Sequence, residues 1–309
     1  MATTATRKSF GQVLLELGGK DENIVVLDAD LSKSTMSKMF ADKYPGRFFE
    51  MGISEANMIG VGSGLALAGK KPFICSFACF VTGRYDTIRI SVAYSEAPVR
   101  IVGTHAGIGI GEDGNSQMGL EDLGLMRGLP HMTVIQPADD IETRQAVTWM
   151  AENDVPSYIR LTRQNVKDVN GPDYTFKIGK AVELVPGSDI TIMATGGPVY
   201  HAVDAAGLLK KQGISAGVVN IHTIKPIDVE AINKYAKLTG HVITVEDHNT
   251  IGGLGSAVAE VLAESGAGKL NRHGLKDAFG ESGTYQDLYK KYRLDAEGIV
   301  SVVKEIFDK

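Results

Sequence analysis

The sequence predicts an α/β fold in two domains, each a mostly parallel sheet flanked by helices. Three observations predict it. Short apolar runs of strand length alternate with segments whose apolar residues recur at helical spacing, the signature of parallel strands covered on both faces. The alternation stops once, where Asp168, Asn170, Gly171, Pro172 and Asp173 cluster as turn formers. At 309 residues, the chain is also longer than one such domain usually needs.

Taken in order, residues 7–17 carry Phe10, Val13, Leu14 and Leu17 on one helical face. A buried strand follows at 24–27. Helical spacing returns at 55–67, strand at 73–76, helix at 81–94 and strand at 99–102. Residues 120–127 read as helix, 132–135 as strand, 141–150 as helix and 158–161 as strand. These elements form a first domain, residues 1–164, and residues 165–177 are the expected linker. In the second domain, residues 178–309, strands at 190–193, 218–221 and 242–245 alternate with helices at 199–211, 229–237 and 256–263. Residues 296–307 close it as a helix.

Composition excludes several classes. The net charge of −5 leaves no electrostatic footprint for nucleic acid or an anionic membrane. No apolar run approaches the ~20 residues of a membrane helix. The first eight residues lack the apolar stretch of a secretion signal. Cys75 and Cys79, the only cysteines, lack a His–Cys set at zinc spacing. They are expected to be reduced thiols of a cytoplasmic protein.

The most informative stretch is 48–60, Phe-Phe-Glu-Met-Gly-Ile-Ser-Glu-Ala-Asn-Met-Ile-Gly. Ser54 suits an N-cap, and Glu55 falls in the first turn, where the helix dipole favours a carboxylate. Gly60, Gly62 and Gly64 then each cost about 1 kcal/mol relative to Ala. Such a helix makes sense where another backbone packs close, as at a tight subunit interface. A carboxylate opening it is drawn into an apolar site, where it must find a partner or take a proton.

This stretch resembles the glutamate-bearing segment of transketolases, within the thiamine-diphosphate-dependent superfamily. The resemblance implies that Glu55 hydrogen-bonds N1′ of the cofactor's aminopyrimidine and relays its proton. Residues 76–80, Ser-Phe-Ala-Cys-Phe, resemble the segment that packs on that ring, so Phe77 and Phe80 are the implied cofactor contacts. Ile74 stands where many members carry a third aromatic, making one wall of the cofactor site aliphatic. Without the resemblance, two Phe after a strand are ordinary core.

Gly109, Gly111 and Gly114 fit a GxGxxG pattern, but Glu112 and Asp113 lie within it and would repel a pyrophosphate. Residues 104–114 resemble instead the transketolase substrate loop. The resemblance makes His105 and Asp113, with Glu55, the catalytic set, contacting sugar hydroxyls or the phosphate end. Gln117 occupies a position where many members carry histidine; it can hydrogen-bond substrate but cannot titrate. By the same resemblance Arg7, the segment from Asp30 to Ser34, and Arg163 bind substrate. The two guanidinium forks and the Ser34 hydroxyl would clamp a phosphate, and a sulfonate would suit the same clamp. The glycine-rich stretch 246–256 and residues His222, Lys225 and Pro226 match the family's C-terminal domain, where they are expected to be structural.

Thiamine-diphosphate enzymes hold the pyrophosphate through Mg²⁺ (or Ca²⁺), with a Gly-Asp-Gly motif and a downstream Asn. The chain has no Gly-Asp-Gly, so no metal ligands are assigned to it. The resemblance implies that a separate N-terminal transketolase subunit supplies them, in an α2β2 assembly acting on sugar phosphates. Met1 lies six residues before Arg7, so a naturally short chain is expected. Three rival readings remain: the β chain of a 2-oxo acid dehydrogenase, a deoxyxylulose-phosphate-synthase-like carboligase, and a non-catalytic binding or regulatory paralogue.

Overall fold

The computed structural model describes residues 3–308. Its strands are β1 (Thr3–Ala5), β2 (Ile24–Asp28), β3 (Phe48–Glu50), β4 (Lys71–Phe77), β5 (Arg100–Thr104), β6 (Thr133–Ile135), β7 (Ser157–Arg160), β8 (Asn165–Lys167), β9 (Val182–Val185), β10 (Ile190–Ala194), β11 (Ala216–Asn220), β12 (Thr223–Lys225), β13 (His241–Asn249) and β14 (Lys269–Leu275). One sheet has seven strands in the order β12-β6-β7-β5-β4-β2-β3 and a second has five in the order β14-β13-β10-β11-β9. Pairing is parallel except at one edge of each sheet, where β12 and β9 run antiparallel. β2, β5, β10 and β11 are buried at every residue, as expected for strands covered on both faces.

The helix Thr6–Gly18 lays Phe10, Val13 and Leu14 into a cluster with Ile24, Phe40 and Phe73. On the other face of the sheet, Met58 and Ile59 of the helix Glu55–Leu67 pack with Leu27, Ile74 and Ile101. A third cluster, around Ile192, Val199, Val218 and Ile299, also takes in Phe77, Ile108 and Ile110 from the first half of the chain. The two halves are thus packed into each other.

Several elements depart from the sequence expectation. The helix expected over 81–94 breaks into Ala78–Thr82, Tyr85–Thr87 and a wide π turn, Ile88–Tyr94. Gly83 caps the first piece with its N–H on the Cys79 carbonyl. Within 165–177, residues Asn165–Lys167 form β8, antiparallel to β1. The buried Asp139 carboxylate accepts N–H groups of Val169 and Asn170 and the Asn170 amide. This pattern break is a fastened strap. β12 belongs by sequence to the second half but pairs with β6 of the first sheet. There the Lys225 ammonium donates to the Arg127 and Leu129 carbonyls at the C-terminal end of the helix Asp122–Arg127. Cys75 is buried, Cys79 partly so, and both are free thiols. Among the described residues no helix is long and apolar enough to cross a membrane.

Candidate active site

Parallel strands leave a crevice beyond their carboxyl ends, where ligands of open α/β sheets bind. Most of the site residues expected from sequence follow such ends: Asp30 and Ser34 after β2, Glu55 after β3, Phe77 and Phe80 at and after β4, His105, Asp113 and Gln117 after β5, and Arg163 after β7. Arg7 arrives from the second residue of the helix Thr6–Gly18, just after β1.

Glu55 is the first residue of its helix, with Ser54 in the N-cap position, but the Ser54 hydroxyl makes no cap bond. Glu55 is only 5% exposed. Its carboxylate has no hydrogen-bond or ion-pair partner among the described residues. It lines a cavity of about 400 Å³ with Asp30, Leu31, Ile53, Phe80 and Arg84. Of the three helix glycines, Gly62 is the one that meets close packing inside the chain. A methyl group there would come within 2.7 Å of Ile74 Cγ2, whereas Gly60 and Gly64 have nothing within 4 Å. Ile74 therefore sits under the helix in the core and is not among the residues that line the cavity beside Glu55.

Phe80, Phe77 and His105 form a ladder of rings. Phe77 and Phe80 stack at 5.6 Å and 11°, and Phe77 and His105 at 3.9 Å and 25°. His105 is buried and adopts φ 57°, a left-handed conformation uncommon outside glycine. Its Nε2 lies 3.1 Å from Arg7 Nη1 and its Nδ1 2.9 Å from Thr104 Oγ1. Arginine can only donate, so Nε2 accepts and Nδ1 carries the proton to Thr104. The Thr104 hydroxyl in turn donates to the Ser76 carbonyl.

Burial, then the charges of Arg7 and Arg163, push the His105 imidazole from its ordinary 6.5 down to about 3. A depressed folded value means stability that is present above 6.5 and lost as pH falls towards 3. An NMR titration of the chain should therefore show His105 neutral down to pH 5. A midpoint near 6.5 would contradict this geometry.

Arg7 also donates to the Ser34 carbonyl at 2.6 Å, so this contact uses the serine's backbone rather than its hydroxyl. Burial and then Arg163 lower the Arg7 pKa, while Asp113 raises it. Arg7, Arg163, His105 and Asp113 therefore share one electrostatic neighbourhood. Arg163 Nη1 donates to the Ile110 carbonyl at 3.0 Å and lies 3.5 Å from a Glu112 oxygen. Asp113 is exposed at the end of Ile108–Asp113, a 3₁₀ stretch kinked at Gly111, and Gln117 is half-buried in the next turn. Asp30 sits apart from this group, at the Glu55 cavity. Its N–H is held by the Glu50 carboxylate at 2.7 Å.

Sequence reasoning missed the carboxylates that shape these loops. Asp28, fully buried at the end of β2, accepts from the Leu31 N–H and the Thr35 and Ser37 hydroxyls at 2.7–2.8 Å. Burial raises it to about 6 against those three hydrogen bonds. The available signal was a carboxylate ending an apolar strand with two hydroxyl residues close behind. In the second half, the Glu246 carboxylate accepts the Leu254 and Gly255 N–H groups, so the glycine-rich stretch is a strand-to-helix turn. Among the described residues no group of three or more His, Cys, Asp or Glu could hold a metal ion.

Comparison with known proteins places this arrangement. Residues 2–169 match the transketolase pyrimidine-binding domain and residues 179–299 the transketolase C-terminal domain. The chain is 48% identical over 307 residues to a Methanocaldococcus jannaschii protein described as a transketolase C-terminal section, covering 98% of this chain and 96% of that one. It is 43% identical over 304 residues to a 6-deoxy-6-sulfo-D-fructose transketolase subunit of a Clostridium species, covering 98% and 94%. A split-gene transketolase solved as an inactive β4 tetramer superposes with a TM-score of 0.90 at 47% identity, over 97% of each chain. The chain belongs to the transketolase family and is a component of transferase type.

Proposed function

We propose that the chain is one subunit of a split, thiamine-diphosphate-dependent transketolase of the cytoplasm, moving a two-carbon ketol unit from a ketose phosphate to an aldose phosphate. Its partner is an N-terminal subunit that carries the diphosphate and Mg²⁺ (or Ca²⁺) ligands, in an α2β2 assembly. The observation that carries this reading is the buried, partnerless Glu55 carboxylate beside an apolar cavity. A pyrimidine nitrogen is the kind of partner such a group lacks, and the Phe77–Phe80 stack beside it suits a flat heterocycle. The residues present thus fit the pyrimidine end of the cofactor.

When bound, thiamine diphosphate supplies the carbon nucleophile that attacks the ketose carbonyl. Glu55 holds the proton at the pyrimidine N1′. Phe77 and Phe80 give the ring an apolar wall on that face. The carboxylate of Asp113 accepts from the sugar's hydroxyls, and His105 Nε2 accepts from one in exchange for its Arg7 N–H, with Asp30, Ser34 and Gln117 at the margins of the same crevice. Arg7 and Arg163 take the phosphate. Among related chains of nearly the same length, one is described as a transketolase C-terminal section and another as a transketolase subunit, which favours this reading over the dehydrogenase and carboligase alternatives. The retained Glu55 and paired arginines favour it over a non-catalytic paralogue.

A second reading replaces the phosphate with a sulfonate. The 43% relative named for a sulfosugar favours it, and two arginine forks serve either anion. The test is to combine the chain with its N-terminal partner, Mg²⁺ and thiamine diphosphate. Xylulose 5-phosphate as donor and ribose 5-phosphate as acceptor should give ketol transfer, with 6-deoxy-6-sulfo-D-fructose as the competing donor. A complete assembly that transfers no ketol unit from either donor would overturn the proposal.

A further inference from the structure

We propose that Asp247, in the second half of the chain, is a positioning residue for the reaction, capping the start of the substrate loop so that His105 and Asp113 keep their places. The 3₁₀ helix Ile108–Asp113 begins after Gly107, which has no side chain to cap it. Its first two N–H groups are instead taken by Asp247. Ile108 donates to Oδ1 at 2.7 Å and Gly109 to Oδ2 at 3.2 Å, across 139 residues of sequence. Two N–H groups on one carboxylate give the loop a charge-assisted anchor.

The surroundings are built for this contact. Asp247 is almost fully buried. The Tyr289 hydroxyl donates to Oδ2 at 2.9 Å, and Gln164 Nε2 donates to that hydroxyl at 3.1 Å. The buried guanidinium of Arg160, itself paired with Asp122, donates to the Asp247 carbonyl at 2.9 Å. The register of β13 against β14 shifts between Val245 and Asn249, so Asp247 stands in an irregular stretch of the strand. Gly107 has φ 78°, and a methyl group there would come within 2.2 Å of Asp247 Oδ2. A glycine at 107 is therefore what lets the carboxylate reach the loop.

A second fastening lies further along, where the Gly280 N–H donates to Asn115 Oδ1 at 2.8 Å. Both ends of the segment that carries Asp113 are thus tied to the second half of the chain. His105 lies two residues before Gly107, so freedom at Gly107 reaches its strained φ directly. Burial raises the Asp247 pKa, opposed first by Arg160 and then by the loop N–H groups and Tyr289.

This inference rests on the proposed transketolase reading, and its test has one arm that does not. Asp247→Asn keeps the size but turns one oxygen into a donor facing a donor. Tyr289→Phe removes two hydrogen bonds, the one to Asp247 Oδ2 and the one from Gln164. In the isolated chain, amide exchange at Ile108 and Gly109 should rise with Asp247→Asn while the interior strands β5 and β10 stay protected.

In the pair reconstituted with its N-terminal subunit, kcat/KM for the phosphoketose should fall about ten- to a hundredfold. Affinity for thiamine diphosphate should change much less, because Glu55, Phe77 and Phe80 all lie on other elements. Tyr289→Phe should give a smaller loss in the same sense, and it decides the matter if Asp247→Asn does not fold. Wild-type kinetics in the variant that folds would overturn the proposal. So would a loss of ketol transfer matched by an equal loss of cofactor affinity. Failure of the unaltered pair to transfer a ketol unit would sink the transketolase reading instead, while the exchange arm would still report on the anchor.

Discussion

Glu55→Gln is expected to leave the fold intact and to cut turnover of the reconstituted pair by at least about a thousandfold, the upper part of the range for loss of a positioned proton-transfer group. The fold should survive because the carboxylate bonds to nothing else among the described residues. An amide of the same shape leaves no native partner unsatisfied. Thermal unfolding of the isolated chain should therefore stay level. Activity should collapse because glutamine cannot exchange a proton with a pyrimidine nitrogen. Normal turnover by the Glu55→Gln assembly would remove the proton-relay role.

Arg7→Ala should raise KM for phosphorylated donors about ten- to a hundredfold, the cost of losing a hydrogen-bonded charge pair, and leave unphosphorylated donors nearly unaffected. Arg163→Ala should show the same selectivity. Both arginines depress His105, so either substitution should also move the imidazole back towards its ordinary value. Arg7→Ala should do so more, since it also removes the donor on Nε2. The paired readout separates charge from packing: a lost packing contact would weaken all donors alike. Equal effects on phosphorylated and unphosphorylated donors would remove the clamp.

The alternation of strand and helix was readable because β2, β5 and β10 are buried on both faces and appear in the sequence as short, mostly apolar runs. The grouping of Glu55, Phe77, Phe80 and His105 came from the resemblance to transketolases, and the structure places all four at or just beyond strand ends of one parallel sheet. The edge strands were hidden for the opposite reason. β14 is exposed over much of its length, and β8 and β12 have three residues each, too few for periodicity to register.

The break after Thr82 was hidden because the apolar pattern runs on through Ile88 and Val92. Helix and π turn bury nearly the same face. Ser54 has the right chemistry for a cap and occupies the right position, yet its hydroxyl stays unused. Asp28 escaped notice, and Asp247 was read only as part of a structural stretch, because a carboxylate that organises a loop looks, in sequence, like any other. Asp247 shows its role only when residues 139 positions apart are brought together.

The central claim is that this chain grips one end of the cofactor and needs another polypeptide for the other. The direct measurement is ketol transfer by the purified chain alone, with saturating thiamine diphosphate, Mg²⁺, xylulose 5-phosphate and ribose 5-phosphate, repeated after addition of the N-terminal subunit. The expected result is no turnover from the chain alone and turnover once the partner is present. Turnover by the chain without a partner would contradict the account.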